Sequence, residues 1–390
     1  MGRVSRRMQV ALLCGGAFAA LLLLVGQLWL MRRLSWTHTE DPAASLIGIN
    51  FSCDQAEYLL LEDPALGEAG YVSDDRPGRA EWCAEALGTL LERTGAKYVR
   101  LSVQWDEVEP EEGKFDFSLL DALLVAAGEH GATANLSVGM KGQRHPEYYI
   151  PDWAFEGTTL QRSEIISYDP VLRARALSMV TAVVVHFAAS PVVDSWGAEN
   201  EPYIESERNN RYSLGRDYVA EVVDTIHAND PQGRPVMINH GQHFVMDRRW
   251  KDALADSDVL GQSLYPRRNE HLFGMPIVVN VLEIGPLMPN YAYQARLAHE
   301  QGKQFWVAEL QGEPWTDTDS RLISPEHPSA NLSPKTFAEN IVYARKTGAD
   351  RIYLWGAEWW LYESRFFGDE RWLVTAQAAI TAGQAAPGAR

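Results

Sequence analysis

The sequence predicts an α/β fold of the (β/α)8 TIM-barrel class, preceded by a single N-terminal transmembrane helix. After residue 45, short apolar runs alternate strictly with helical stretches, and this alternation indicates a parallel sheet with helical crossovers. Eight such units in about 340 residues suit a barrel with enlarged loops. The segment from Met8 to Met31 contains no charged side chain and is long enough to cross a bilayer.

Basic residues flank the apolar segment on both sides, three before it and two after it: Arg3, Arg6, Arg7, Arg32 and Arg33. Their excess on the N-terminal side favours a cytoplasmic N-terminus and export of the remainder to the periplasm or extracellular space. We therefore expect an anchor at 1–33, a polar linker at 34–45 and a barrel domain at 46–390. A cleaved signal peptide, giving a secreted protein, is the alternative, but its apolar region is usually shorter.

The predicted strands are the short apolar runs of the barrel domain, at 46–52, 98–103, 133–138, 192–197, 235–239, 259–264, 305–309 and 351–355. A helix is predicted after each strand. The one at 118–130 has four leucines on one face, and another begins at Pro334 behind the capping residue Ser333. The five longest connections all follow strands, so they would meet at the C-terminal face of a barrel, where active sites form. They lie at 54–78, 139–169, 198–213, 265–290 and 310–332.

The composition limits the kinds of molecule that the protein is expected to bind. The net charge of −17 argues against binding nucleic acid. Of the 13 tryptophans, some would pack in the core and others would suit stacking on sugar rings. The expected partner is therefore a neutral or basic small molecule or a polysaccharide, with membrane contact through the N-terminal helix alone.

Two glutamates stand at the C-terminal ends of the fourth and seventh predicted strands. Glu201 follows the apolar run that ends at Ala198, and Glu309 follows the run from Phe305 to Ala308. Retaining glycoside cleavage requires two carboxyl groups roughly 5–5.5 Å apart, one ionised and one protonated. We assign Glu201 as acid/base and Glu309 as nucleophile. Neighbouring carboxylates that compete for these roles are Glu199, Glu313 and Glu358.

Four ordered motifs resemble clan A glycoside hydrolases, the group that includes family 5 cellulases and family 42 β-galactosidases. They are the segments 100–117, 196–202 (Trp-Gly-Ala-Glu-Asn-Glu-Pro), 306–311 (Trp-Val-Ala-Glu-Leu-Gln) and 355–360 (Trp-Gly-Ala-Glu-Trp-Trp). The likeness spans most of residues 46–385. The stretch from His145 to Trp153 departs from the expected third-strand pattern.

The resemblance implies four further roles at the substrate. Asn200 would hydrogen-bond the sugar 2-hydroxyl, and Arg100 would lie beneath the nucleophile. Tyr265 would hydrogen-bond Glu309, and Trp355 would form the floor of the reacting-sugar subsite. The simpler alternatives are a structural ion pair for Arg100 and core packing for both aromatic residues.

The sequence indicates no metal and no organic cofactor. His240 and His243 are three residues apart, but no carboxylate-rich set accompanies them, which favours ordinary loop histidines. Cys53 and Cys83 lie after the first strand and in the first helix, so in an exported domain they would be able to form a disulfide. Two separate buried thiols are an equal alternative.

The predicted function is a retaining O-glycosidase that cleaves β-glycosidic bonds of an oligo- or polysaccharide. A non-catalytic carbohydrate-binding protein on the same scaffold is the first alternative, although such a protein has no reason to keep two like charges close together. Transglycosylation, in which a sugar hydroxyl replaces water, is the second.

Overall fold

The computed structural model describes residues 6–35, 45–61, 78–144, 147–205, 211–241, 247–272, 275–280, 289–314 and 332–385. Helix α1 runs from Arg6 to Ser35, slightly beyond the apolar segment that the sequence predicts. The first barrel strand begins at Leu46. Of the predicted linker at 34–45, residues 36–44 lie outside the described part of the chain.

Eight parallel strands close into a barrel, which confirms the predicted architecture. They are β1 (Leu46–Asn50), β2 (Tyr98–Ser102), β3 (Thr133–Val138), β4 (Val193–Asn200), β5 (Val236–His240), β6 (Val259–Leu264), β9 (Gln304–Gln311) and β10 (Arg351–Trp355). Around the barrel, each strand pairs with the next one in chain order, and β10 pairs with β1. The remaining two strands, β7 (Arg267–Leu272) and β8 (Met275–Asn280), form an antiparallel hairpin after β6.

Helices surround this barrel. They are α2 (Cys53–Leu60), α3 (Arg79–Thr94), α4 (Trp105–Val108), α5 (Ser118–Glu129), α6 (Pro170–Phe187), α7 (Arg216–Asn229), α8 (Trp250–Asp256), α9 (Tyr291–Glu300), α10 (Pro334–Lys346), α11 (Ala357–Phe367) and α12 (Arg371–Gln384). In α5, Leu120, Leu123 and Leu124 are buried, as their spacing predicts. Helix α10 begins at Pro334 with a capping box at Ser333.

Two elements lie where the sequence predicts irregular connections. Helix α2 begins at Cys53 and occupies the first part of the connection at 54–78, because Ser52 caps it by accepting a hydrogen bond from the Gln55 amide. The β7–β8 hairpin lies within the connection assigned to 265–290. Both elements follow barrel strands, so they enlarge the face on which the site lies.

Among the described residues, one helix is long and apolar enough to cross a membrane, and it is α6 of the barrel. Its buried side chains, among them Met179, Val180 and Val183, pack in the same core as the strands. Its apolar character therefore serves barrel packing. In α1, the described side chains form a shorter apolar stretch, Cys14–Trp29.

Cys53 and Cys83 are joined by a disulfide, with their Cα atoms 5.5 Å apart. The bond ties the start of α2 to α3, and both sulfur-bearing residues are buried. Of the two arrangements that the sequence left open, the structure therefore has the paired one. Among the described residues, the one group of potential metal ligands lying close together is Cys53, Glu57 and Cys83, and the disulfide uses both of its thiols.

Candidate active site

The strand register brings the ends of β4, β5, β6 and β9 to the same rim. Asn200 is paired with Asn239 and Ser263 with Glu309. Strand β4 has a register irregularity between Gly197 and Asn200. Polar side chains that are far apart in sequence therefore converge at the C-terminal mouth, as the barrel geometry requires.

Glu309 is buried and accepts hydrogen bonds on both carboxylate oxygens. Oε1 receives Arg100 Nη1 at 3.0 Å and Asn239 Nδ2 at 3.3 Å, and Oε2 receives the Tyr265 hydroxyl at 2.6 Å. One charged donor and two neutral donors therefore hold this carboxylate in a fixed orientation. Burial, with the charge of Glu309 next, raises the pKa of the Tyr265 hydroxyl well above its usual value, so this tyrosine stays protonated and donates.

Arg100 lies at the centre of the polar network beneath this carboxylate. Its side chain is fully buried, and its Nη2 donates to Asn200 Oδ1 at 2.8 Å while Nη1 also reaches Asn50 Oδ1 at 3.3 Å. Asn239 donates to the same Asn200 oxygen at 3.0 Å. These contacts fix the amide of Asn200, with its oxygen directed into the protein.

Glu201 lies immediately after β4, with a positive backbone φ of 45°. Its neighbour in space is Gly241, where an added Cβ would lie 2.9 Å from the Glu201 carboxyl carbon and 1.9 Å from Ile204 Cδ1. Glycine therefore leaves room for the carboxyl group. Burial, with the charge of Glu309 next, raises the Glu201 pKa to about 7, while Lys141 and a hydrogen bond with Ser263 act in the opposite direction.

Lys141, in the loop after β3, supports the turn that carries Glu201. Its buried ammonium donates to the main-chain carbonyls of Glu201 at 2.9 Å and Ile204 at 3.0 Å, and lies 3.5 Å from a Glu147 carboxylate oxygen. The lysine therefore holds the backbone of the Glu201 turn and places a positive charge behind its carboxyl group.

Glu199, a competing carboxylate, is used inside the protein. It accepts the backbone amides of Met140 at 2.9 Å and Lys141 at 2.7 Å and the Tyr218 hydroxyl at 2.8 Å. Gly139 has φ 148°, and a Cβ there would lie 2.2 Å from this carboxyl group. Burial raises the Glu199 pKa to about 7. Through these contacts, Glu199 holds the loop after β3 in place.

The other two competitors, Glu313 and Glu358, form ion pairs with Arg144. The guanidinium carbon of Arg144 also lies 4.1 Å from the centroid of the Trp355 ring, and Trp355 Nε1 donates to Glu313 at 2.7 Å. Trp355 is thus at the rim where the sequence places it, but one face of its ring is covered by an arginine.

Several contacts at the site were not anticipated from the sequence. They involve Asn50, Asn239, Ser263, Lys141 and Arg144. The first three are polar residues at or near the ends of apolar strands, which is a usable signal for the mouth of a barrel. Lys141 and Arg144 lie in an irregular loop, where the spacing of residues in the sequence does not indicate the direction of a side chain. His240 is buried at the end of β5, and His243 lies outside the described residues.

Part of the chain is similar in sequence to known proteins. Residues 80–231, less than half of the chain, match the Glyco_hydro_42 family model, described as beta-galactosidase. The chain is 30% identical over 122 residues to Beta-galactosidase BbgII of Bifidobacterium bifidum, covering 29% of this chain and 17% of that protein. It is 29% identical over 126 residues to Beta-galactosidase Bga of Halorubrum lacusprofundi, covering 27% of this chain and 16% of that protein.

Solved structures share the fold at low sequence identity. GH5_18 from Streptomyces cattleya, in complex with GlcNAc, superposes with a TM-score of 0.55 at 14% identity, over 89% of this chain and 82% of that one. The Halorubrum lacusprofundi beta-galactosidase gives 0.55 at 14% identity, over 88% and 58%. With the closed barrel and the sequence matches, these findings support a glycosidase of the clan A (β/α)8 type, the class that the motifs predict.

Proposed function

We propose that this chain is a retaining O-glycosidase that cleaves β-glycosidic bonds by double displacement. The observation that carries the proposal is the contrast between two carboxyl groups at one rim. Glu309 accepts hydrogen bonds from Arg100, Asn239 and Tyr265, whereas burial and the nearby charge raise the pKa of Glu201 to about 7. Environments that separate two carboxyls in this way assign one as nucleophile and the other as acid.

In the first step, the Glu309 carboxylate attacks the anomeric carbon and forms a glycosyl ester, while Glu201 gives its proton to the departing oxygen. In the second step, Glu201 removes a proton from water, whose oxygen attacks the same carbon and releases Glu309. Asn200 accepts from Arg100 and Asn239 through Oδ1, so its Nδ2 is the atom that would donate to the sugar 2-hydroxyl.

The substrate class that the curated relatives favour is a β-galactoside, because both are called beta-galactosidases. The matches cover less than a fifth of either relative, so the sugar is part of the proposal. A panel of nitrophenyl β-glycosides of galactose, glucose, mannose and N-acetylglucosamine would identify it.

The test is to trap the ester. A 2-deoxy-2-fluoro β-glycoside with a dinitrophenolate leaving group should inactivate the protein, adding one sugar mass to the peptide that contains Glu309. Glu309→Gln should remove both turnover and labelling, whereas Glu300→Gln, which changes an exposed carboxylate of α9, should alter neither. Labelling elsewhere, or a first-formed product of inverted configuration by proton NMR, would contradict the assignment.

For the location, we propose an uncleaved N-terminal anchor with an exported barrel. Helix α1 has 30 residues, and at about 1.5 Å per residue it exceeds the hydrocarbon thickness of a bilayer. Disulfides such as Cys53–Cys83 persist in oxidising compartments. The membrane-associated protein should retain residues 1–33 by N-terminal sequencing, and added protease should degrade the barrel in intact spheroplasts. A mature protein beginning after residue 33 would contradict the anchor.

A further inference from the structure

One guanidinium joins three loops at the mouth of the barrel. Arg144, in the loop after β3, has a left-handed backbone conformation with φ 68°. It pairs through Nη1 with Glu313, after β9, and through Nη2 with Glu358, at the start of α11, at 2.8 Å. Glu358 in turn accepts the Ser52 amide at 2.6 Å, which adds the loop after β1.

This cluster is buried even though it lies at the rim. The side chains of Arg144, Glu313 and Glu358 are 10%, 9% and 1% exposed, respectively. Burying an ion pair costs desolvation energy that its attraction does not reliably recover, so such groups contribute little net stability. Packing of Arg144 on Trp355, at 4.1 Å from the ring centroid, further covers the ring surface on which a sugar would stack.

The position of the cluster relative to Glu201 bears on how a substrate sugar would be oriented in the site. The proposed acid must lie beside the departing oxygen at C1 of the sugar, and C4 lies across the ring from C1. Strand β4 carries Glu201, and β10, which ends at Trp355, is four strands away in either direction around the eight-stranded barrel. A sugar that lay across the mouth from Glu201 would therefore direct its C4 end toward the cluster of Arg144, Glu313 and Glu358.

The loops beside the cluster are also linked among themselves. Gln104, after β2, donates to Asp54 of α2 at 2.6 Å, and Arg79 of α3 pairs with both Asp54 and Glu107 at 2.6 Å. Within the described part of the chain, side-chain contacts thus link the loops after β1 and β2, next to the cluster.

We propose that Arg144, held by Glu313 and Glu358, is the end wall of the sugar pocket and restricts cleavage to one terminal sugar. The proposal rests on the proposed function and adds to it the mode of attack. A second sugar attached at C4 would require the space that the guanidinium occupies. A terminal sugar instead presents hydroxyls at C3 and C4 to a group of carboxylate acceptors and guanidinium donors.

The experiment compares two chromogenic substrates in the full chain. The nitrophenyl β-monoglycoside that the wild type cleaves fastest is paired with the nitrophenyl β-1,4-bioside of the same sugar. The wild type should release nitrophenol from the bioside only after a lag, because the terminal sugar must leave first. Arg144→Ala should release nitrophenol together with the intact disaccharide, and the bioside-to-monoglycoside ratio of kcat/KM should rise roughly tenfold or more.

Arg173→Ala is the matched control, because Arg173 also pairs with two carboxylates, Asp217 and Glu221, but on the outer helices α6 and α7. It should leave the ratio unchanged.

Arg144→Lys keeps the charge but lacks the planar guanidinium that spans both carboxylates. It should therefore raise the bioside-to-monoglycoside ratio, as Arg144→Ala does, and it is the test variant if the alanine variant does not fold.

Chromatographic sizing of products from a β-1,4-linked oligosaccharide ladder gives a second measurement on the wild type alone. Single sugars should be the sole early products. Direct release of the disaccharide by the wild type, or an unchanged ratio in a folded Arg144 variant, would overturn the end wall while leaving the glycosidase assignment intact. No cleavage of any β-glycoside would overturn both.

Discussion

The guanidinium of Arg100 lies 3.0 Å from the carboxylate of Glu309, and both side chains are buried, at 0% and 4% exposed. These residues are 209 positions apart in the chain, and they meet because β2 and β9 belong to one closed barrel. The pair places a fixed positive charge next to the proposed nucleophile. Most of the expected behaviour of the site follows from that arrangement.

Removing this arginine should damage both stability and activity. Arg100→Met leaves Glu309 buried without its charged partner, which should cost about 3–5 kcal/mol in the free energy of unfolding and lower kcat/KM by roughly a hundredfold or more. Urea unfolding and nitrophenyl glycoside kinetics measure the two effects. The double variant Arg100→Met/Glu309→Gln should regain part of the stability, because no unpaired charge remains. Arg173→Met, at a partly exposed ion pair, should lose at most about 1 kcal/mol.

Replacing the proposed acid should affect substrates according to their leaving group. Glu201→Ala should lose roughly 10²–10⁴-fold in kcat/KM on alkyl β-glycosides, whereas dinitrophenyl glycosides, whose phenolate departs without protonation, should be far less affected. Azide should restore turnover by attacking the glycosyl ester in the space left by the side chain, and mass spectrometry with NMR should identify a β-glycosyl azide. Equal losses on both substrates, without azide rescue, would contradict the acid/base role.

The pH dependence of the reaction rate should reflect the protonation of Glu201. Glu201 must be protonated to act as an acid, and burial together with the charge of Glu309 places its pKa at about 7. The rate on poor leaving groups should therefore fall as pH rises above 7, by up to tenfold per unit. Removing the charge in Glu309→Gln should lower the Glu201 pKa, which carbon-13 NMR of labelled glutamate would detect. Persistence of the alkaline limb in Glu201→Ala would assign it to another group.

The disulfide should contribute to stability without taking part in the chemistry. Cys53 and Cys83 are 30 residues apart in sequence, and removing a bridge of this span should cost about 2–4 kcal/mol. Urea unfolding of Cys53→Ala/Cys83→Ala, with and without reductant, measures the loss. The Cys14→Ala variant is the control, since this thiol lies in α1 and outside the bond. Equal stability of the paired-cysteine variant and the wild type would show that the bond constrains little.

Much of the architecture could be predicted from local sequence patterns. The alternation of apolar strands with helices was sufficient to predict a barrel, because the spacing of apolar residues within each βα unit identifies its strand and its helix. It also placed Glu201 and Glu309 at strand ends, and capping chemistry located α10 at Pro334. The irregular segments were harder to predict: α2 and the β7–β8 hairpin form in connections where turns and short elements have similar composition.

By itself, the sequence determined that eight strands form a barrel, which carboxylates lie near the ends of two of them and which motifs resemble a clan A glycoside hydrolase. The tertiary structure decided which polar groups meet at the mouth, such as Asn239 on Glu309 and Lys141 beneath the Glu201 turn. It also decided that Glu199 fastens a loop and that Arg144 covers Trp355. The physical reason is that strand periodicity is a local property, whereas the direction of a loop side chain depends on charges and space supplied by distant strands.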